Sequence, residues 1–587
     1  MAAPIRIGNI SGMFGDRPDA PVQMLGDPGV EVLTGDWLAE LTMLILARTR
    51  MKRPDGGYGR TFVQQMEQVM GTCLDRDIKV VVNAGGLDPL GCADALDALA
   101  ERLGLSPTVA AVTGDDLAPR FADLVEAGHE FANVDTGEPL GDKANAVVVA
   151  NAYLGGWGIA EALDRGADIV VTGRVTDAAL VVGPAIWRHR WRRDDWDRLA
   201  GAVAAGHVIE CGPQATGGNY SFFTEIEDMT VPAFPWADVF EDGSAVIGKP
   251  DGTGGEVSIG TVTSQLLYEI GSERYHNPDV TTRFDSLHVE QIDRDRVRLW
   301  GARGEPPPET LKVAAAYQGG FRNSLMIGLT GMHTDEKAAL VERQIWAASP
   351  YPRDAYDAVE VTHIGGELAN PPSNAAAVSY LEIGVQDRDE AKVGREWSNA
   401  MASIALGSIP GFFGVWPPGP AKPFAVYWPT TIPRSDVEPR VRVGGKTVEV
   451  PETEPGPFLP AVVPAVEIPA PTFGTETVLL PLGMVLGARS GDKGGNANLG
   501  VFARDDRTHG WMHRFLTVEK LKELLPDMRP RRIERFDLPN LRAVNFVIHG
   551  LLDRGVSSSM RVDPQAKGLG EYLRAQLVEI PVELIDR

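Results

Sequence analysis

The first 225 residues alternate short, nearly unbroken apolar runs with helical patterns, and nothing else in the chain limits its fold as tightly. The runs Ile5–Ile10, Val30–Leu33, Lys79–Val82, Thr108–Val112, Ala146–Ala150, Asp168–Val171 and His207–Ile209 read as strands. They are built mainly of Val, Ile and Ala without polar alternation, as in strands covered on both faces. Helical patterns such as Asp36–Arg48 and Gly91–Leu103 lie between them. This alternation predicts an α/β fold, a mostly parallel sheet with helices on both faces, with a closed barrel as the other solution of the pattern.

The 587 residues exceed what one hydrophobic core serves, so several domains are expected: the α/β region at 1–225, then three further stretches. Residues 226–415 open with turns (Asp242-Gly, Asp251-Gly-Thr-Gly-Gly) and alternating segments such as Arg296–Leu299, a β-rich elaboration. They continue as strand, helix, strand, strand, helix, strand: Ser324–Leu329, Glu336–Ala347, Ala358–His363, Ala377–Val385, Glu390–Ala405 and Phe412–Val415. That order predicts an α+β ferredoxin-like unit completing the main region. Residues 416–477 are rich in proline, including Pro451-Glu-Thr-Glu-Pro-Gly-Pro457, and read as an extended connector. Residues 478–587 repeat a ferredoxin-like order, ending in a helix over Gln565–Leu577 and a strand over Val578–Leu584.

Charge narrows the partners. With 56 Lys and Arg against 80 Asp and Glu, the formal net charge is −24. Such a chain repels nucleic acid and anionic membrane, and any anionic ligand needs a local basic patch working against the global field. Three cysteines (Cys73, Cys92, Cys211) argue against a disulfide framework. No Cys/His cluster has zinc-ligand spacing; His509 and His513 sit four apart without a third ligand nearby, so no metal site is expected. The amino terminus lacks a signal peptide's basic start and apolar core, and runs such as Ala144–Ala152 are too short to span a membrane. The expectation is a cytoplasmic protein, homo-oligomeric as enzymes of this size commonly are.

Ligands bind open parallel sheets at the carboxyl ends of strands. Just past the expected strands stand Asn83-Ala-Gly85-Gly86, Thr113-Gly-Asp115-Asp, Asn151-Ala-Tyr-Leu-Gly-Gly, Thr172-Gly173-Arg174 and Glu210-Cys211-Gly212. Each joins a polar side chain to a glycine that lets a ligand approach the backbone, and five such loops on one edge predict a site. Arg174 can hold a carboxylate or phosphate bidentately; alternatively Thr176 or Asp177 is only a helix cap with Arg174 as its partner. Glu210, read as buried at a strand end, would have a raised pKa and could serve as general acid or base, or could be an ion-pair partner. Asp177 is the other candidate base. Cys211 is a candidate nucleophile without an activating neighbour in sequence, and otherwise a small buried hydrophobe. Gly252-Thr-Gly-Gly lacks the Lys of a P-loop and reads as a turn, and Met13–Arg17 reads as a loop beside the same site.

The segment Ala488-Arg489-Ser-Gly-Asp492-Lys493-Gly-Gly-Asn496-Ala-Asn498 sets charged and amide side chains among glycines between two apolar runs. It is either a hairpin turn with solvated charges or a binding surface whose amides converge on an anion. With Arg535-Phe-Asp-Leu-Pro-Asn540 and Leu552-Asp-Arg-Gly-Val-Ser-Ser558, it resembles the C-terminal ferredoxin-fold domain of the acyclic terpene utilisation (AtuA) family. Asn83-Ala-Gly-Gly86, Val171-Thr-Gly-Arg-Val-Thr-Asp177 and Glu210-Cys-Gly-Pro-Gln-Ala-Thr-Gly-Gly218 resemble that family's main domain. The resemblance implies an enzyme of acyclic terpene or branched-chain acid catabolism, acting on an acyl-coenzyme A thioester by hydration, dehydration or carbon–carbon cleavage. No cofactor follows beyond coenzyme A as part of the substrate. Glu210 or Asp177 would be the base, with Arg174, Arg489 and Lys493 holding carboxylate or phosphate beside Asp492 and Asn496. The alternative is a non-catalytic subunit or scaffold of an acyl-coenzyme A carboxylase or degradation complex.

Overall fold

The computed structural model describes residues 3–53, 56–451 and 460–585. By their contacts these fall into two compact units: residues 1–315, 428–553 and 565–587 form the first, and residues 316–427 with 554–564 the second.

The first unit is organised by five parallel strands in the spatial order β1 (Ile5–Asn9), β2 (Val32–Gly35), β3 (Lys79–Val82), then Ile169–Thr172 and Val109–Thr113. The strand Val109–Thr113 is β4. Ile7 pairs Val32, Thr34 pairs Val81, Val81 pairs Val170, and Val170 pairs Ala110. Val80, Val81 and Val82 are all fully buried, so successive side chains on opposite faces are both covered, as their uninterrupted apolar sequence requires. Antiparallel strands extend the sheet on both sides. Trp236–Val239 pairs β1, and Ala245–Gly248 follows it outward. At the far edge Arg440–Val443 pairs β4, its Val441 and Val443 pointing inward from an Arg-Val-Arg-Val alternation. That hairpin lies inside the stretch read as a proline-rich connector; Glu452–Pro457 of its proline run falls outside the described residues.

Two expected strands of this sheet are placed differently. Val147–Ala152, here β5, pairs with the strand that begins at Thr310 and leaves the parallel sheet. His207–Ile209 is no strand at all. It is the last turn of a helix over Trp196–Ile209 in which every residue from Leu199 onward is buried. The sequence Ala200-Gly-Ala-Val-Ala-Ala-Gly206 packs so closely that a Cβ on Gly201 would stand 1.8 Å from the Gly243 carbonyl oxygen. A helix apolar on all sides shows no helical period, and its terminal Val-Ile reads locally as strand.

Residues 478–585 belong to the first unit, apart from 554–564. Asn496–Ala503, Ile533–Leu538 and Ala543–Ile548 form the ferredoxin-like sheet, but its outer edge is held by Leu486–Lys493. The final strand, Leu577–Pro581, pairs with Thr477–Pro481 instead. Leu499, Phe546, Ile548, Met512, Leu521 and Leu573 form the core beneath the helices.

In the second unit Ala358–Ile364, Val378–Asp387, Thr310–Thr330 and Phe412–Trp416 lie side by side in that order. With helices at Thr334–Ala348 and Arg395–Ser403, this is the strand order of a βαββαβ ferredoxin-like unit, closed over Leu325, Ile327, Ile345, Ile383 and Trp397.

Candidate functional site

The strand-end loops contain two kinds of polar residue. The first kind is buried and hydrogen-bonded to protein. Asn83, fully buried after β3, accepts from the Trp37 amide at 2.7 Å and donates to Asp36. Gly85 is required for closeness, since a Cβ there would stand 2.5 Å from the Thr172 carbonyl oxygen, and Gly86 turns with φ +55°. Asp115, after β4, accepts from the Arg174 amide at 2.7 Å and from the Asn151 side chain at 2.8 Å. Gly173 leaves room for that carboxyl, and the Thr172 hydroxyl donates to the Gly173 carbonyl at 2.9 Å. Burial lifts Asp115 to a pKa of about 7. Asn151 comes from β5, outside the parallel sheet, yet its amide still reaches Asp115. These residues hold the loops together.

The second kind forms one electrostatically linked cluster. Arg174, 5 % exposed, donates to Asp177 at 2.8 Å and to the Leu38 carbonyl at 3.1 Å, with its guanidinium 4.3 Å from the Tyr153 ring centre. Glu210 caps the carboxyl end of the Trp196–Ile209 helix rather than a strand. Its carboxyl is nearly fully buried, lies 3.4 Å from the His207 ring, and its Oε2 has no hydrogen-bond partner. Burial, then the charges of Asp177 and Glu269, push Glu210 well above the usual carboxylate range against the opposing pull of Arg174. Burial pushes His207 down to about 4, and neither ring nitrogen has a hydrogen-bond partner. Around neutral pH the imidazole of this contact is therefore neutral, and burial favours the neutral form of the acid beside it. Cys211 follows, half-buried, its thiol raised well above 9 by burial and by Glu210 and Glu269, so it is a thiol and not a thiolate.

The glycine-rich segment is a hairpin. Leu486–Lys493 pairs Asn496–Ala503 through a two-residue turn in which Gly494 takes φ +64°. Its charges are not simply solvated. Gly491 and Gly500 let it lie against Tyr268 and Leu267, where a Cβ would meet side-chain carbons at 2.4 Å and 2.6 Å. Arg489 is 3 % exposed, donates to Gln214 and stacks 3.9 Å above the Tyr268 ring centre. Asn496 is spent on structure, donating to Asp135 at 2.9 Å and accepting from the Gly550 amide at 2.9 Å. Asn498 accepts from the Glu269 amide at 2.9 Å and donates to the Leu267 carbonyl at 2.7 Å. Asn545 donates to the Gly271 carbonyl at 2.6 Å. Together the two amides fix Glu269 at φ +56°, a conformation costly for a side-chain-bearing residue. Asp492 rises to about 7, through burial and the charges of Glu269 and Glu40. The Lys493 ammonium donates to the Glu269 carbonyl at 3.2 Å; its side chain reaches solvent, but the surrounding walls and nearby Lys312 draw its pKa down to about 8.

Arg174, Asp177, Glu210, Cys211, Arg489, Asp492 and Lys493 are thus electrostatically linked as one cluster, while Asn83, Gly85, Gly86, Asp115, Asn151, Thr172, Gly173 and Asn496 serve hydrogen bonding and close packing within the protein. Sequence reasoning missed His207, Tyr268, Glu269, Tyr275, Lys312 and Lys567. The His207 ring packs 4.9 Å from Tyr275, and the Lys567 ammonium lies 4.3 Å from the Tyr268 ring centre. None carried a local signal: Glu269 follows the Ile259–Leu266 helix without a glycine beside it, and Lys312 occupies a polar position in an alternating strand. Among the described residues no three His, Cys, Asp or Glu side chains gather as a metal-ligand set, and no helix is long and apolar enough to cross a membrane.

No curated protein matches the chain. Family models do match: residues 5–443 fit the acyclic terpene utilisation family protein AtuA, and residues 480–579 fit the AtuA ferredoxin-like domain. With well over half its length covered by the first match, the chain belongs to the AtuA family, which implies a role in the catabolism of acyclic terpenes.

Proposed function

We propose that this charged cluster catalyses addition or removal of water, or carbon–carbon cleavage, on a branched acyl-coenzyme A thioester. The observation that carries this reading is a pair of carboxyl groups in unlike surroundings. Asp177 is ion-paired with Arg174 at 2.8 Å, while Glu210 is buried, held toward its neutral form and left with an unpartnered oxygen. A carboxylate held in an ion pair and a buried carboxyl held toward its neutral form suit the roles of base and acid.

In hydration, Asp177 takes a proton from water as the water oxygen bonds to Cβ of an α,β-unsaturated thioester, and Glu210 delivers its proton to Cα. Dehydration is the reverse. In cleavage of a β-hydroxy thioester, Asp177 takes the hydroxyl proton, the Cα–Cβ bond breaks, and Glu210 protonates the carbanion at Cα. Both routes pass through an enolate. The paired amides of the glycine-rich hairpin are committed to the strand ladder, and we assign stabilisation of the enolate to Lys567, whose ammonium donates to the Tyr268 hydroxyl. Coenzyme A enters only as part of the substrate.

The test is incubation of the full chain with branched acyl-coenzyme A esters and their free acids, read by mass spectrometry. Gain or loss of one water, or loss of an acyl fragment, is expected with the thioesters and is abolished by Glu210→Gln. A folded protein that changes no thioester in the panel overturns the proposal.

A further inference from the structure

Lys567 stands on a turn that resists its own conformation. Its neighbour Ala566 takes φ +52°, in the left-handed region that a Cβ disfavours, and is only 2 % exposed. One side chain holds this turn. The Ser490 hydroxyl donates to the Ala566 carbonyl at 2.6 Å, lies 3.3 Å from the Lys567 carbonyl, and accepts from the Gly570 amide at 2.9 Å. Ser490 is itself buried, and it spends its one hydroxyl proton on the turn while taking a second bond from it.

Ser490 has no role in the acid–base reading, yet it lies between two residues that hold Tyr268. Side chains alternate along the strand Leu486–Lys493. On one face Arg489 stacks 3.9 Å above the Tyr268 ring centre, and Gly491 leaves room for the ring edge, since a Cβ there would stand 2.4 Å from a ring carbon. On the other face Ser490 holds the 566–570 turn. From that turn the Lys567 ammonium donates to the Tyr268 hydroxyl, with a Glu269 carboxylate oxygen at 4.0 Å. Three consecutive residues of the hairpin therefore govern both ends of one hydrogen bond, the ring by Arg489 and Gly491 and the lysine by Ser490.

We propose that Ser490 is a positioning residue, whose hydroxyl holds the strained turn at Ala566 so that Lys567 keeps its place on Tyr268. This rests on the assignment of Lys567 to the enolate, but placement and chemistry are read separately. A hydroxyl that only stabilises the fold differs in what repairs its loss. With Ala566→Gly the left-handed conformation carries no Cβ penalty, and the turn no longer needs the clamp.

The experiment measures acetylation of Lys567 by limiting acetic anhydride on the full chain, mapped by mass spectrometry against the exposed Lys446. Tyr268→Phe removes the hydroxyl and sets the rate of a released Lys567. Ser490→Ala should raise the Lys567 rate about tenfold, toward that value, with Lys446 unchanged. Ser490→Ala combined with Ala566→Gly should return it to within about twofold of the unaltered chain. An unchanged Lys567 rate in Ser490→Ala, or a released lysine that Ala566→Gly does not recapture, overturns the proposal. If Ser490→Ala alone does not fold, the double variant decides: a slow Lys567 supports the clamp, and a fast Lys567 or an unfolded chain overturns it. Thioester turnover is read on the same variants. In Ser490→Ala kcat should fall about tenfold with KM little changed, and recover in the double variant. A Lys567 released and recaptured with kcat unmoved leaves the clamp standing and counts against Lys567 as the enolate's donor.

Discussion

The loops that follow β3 and β4 and the wall built by Glu210, Glu269 and the hairpin face the same part of the first unit, yet they spend their polar groups in opposite ways. At Asn83 and Asp115 each side chain finds protein partners. At Glu210 and His207 buried polar atoms remain without them. In sequence both regions look alike, a polar residue next to glycine past an apolar run. The difference teaches that polarity at a strand end does not by itself mark a site: Asn83 and Asp115 differ from Glu210 and His207 in hydrogen-bond satisfaction, and an unsatisfied buried group costs stability.

The largest expected effect tests the unsatisfied side. Glu210→Gln keeps the shape of a protonated carboxyl but removes the proton it would donate. Thioester turnover should fall by about 10²- to 10⁴-fold, with the melting temperature unchanged or raised. A parallel loss of stability would move Glu210 to the scaffold and erase the contrast.

Asn83→Ala should do the reverse. It strands the Trp37 amide and removes one of the two donors to Asp36 Oδ1, which keeps the Leu38 amide, at a cost of about 1–3 kcal/mol in denaturant unfolding, while the folded fraction keeps its turnover. Asp115 sharpens the point through pH. Its folded pKa of about 7 stands above the unfolded value near 4, so the native state binds the extra proton between those limits. Stability from this group is therefore full below pH 4 and is lost as pH rises toward 7, by a few kcal/mol at most on the basis of about 1.4 kcal/mol per unit. Asp115→Asn should flatten that slope in pH-dependent unfolding; an unchanged slope would show that the carboxyl is not the titrating group.

How much of this was legible beforehand follows from the range of the forces. The parallel strands were, because strands covered on both faces leave a continuous apolar trace, seen in Val80-Val-Val82. The ferredoxin-like order of the second unit was legible for the same local reason, whereas the exchange of the edge strand in residues 478–585 was not. The helix under Glu210 was not, since the close packing of Gly201 against Gly243 and of Gly206 against Ala178 depends on partners outside the helix. Glu210 was nonetheless found with its raised pKa, because burial at the end of any apolar element produces it. Glu269 escaped because its strain is imposed by Asn498 and Asn545, more than two hundred residues on.

The smallest expected effect concerns Cys211, which sits between the two regions and belongs chemically to neither. Its backbone is structural: a Cβ on Gly12 would stand 2.5 Å from the Cys211 carbonyl carbon, so the first loop is pressed against it. Its thiol is half-exposed beside Glu210 and Glu269, whose charges add to burial in raising the pKa, while Arg489 and Lys567 oppose them without prevailing. A nucleophilic cysteine needs the thiolate, and the neutral His207 imidazole has a conjugate-acid pKa of about 4, far too low to generate one. Cys211→Ser should therefore leave thioester turnover within about threefold, and iodoacetamide should alkylate the folded chain at this position more slowly than a free thiol at about pH 7. Rapid alkylation with loss of turnover would make the cluster a thiolate site and dissolve the acid–base pair as its centre.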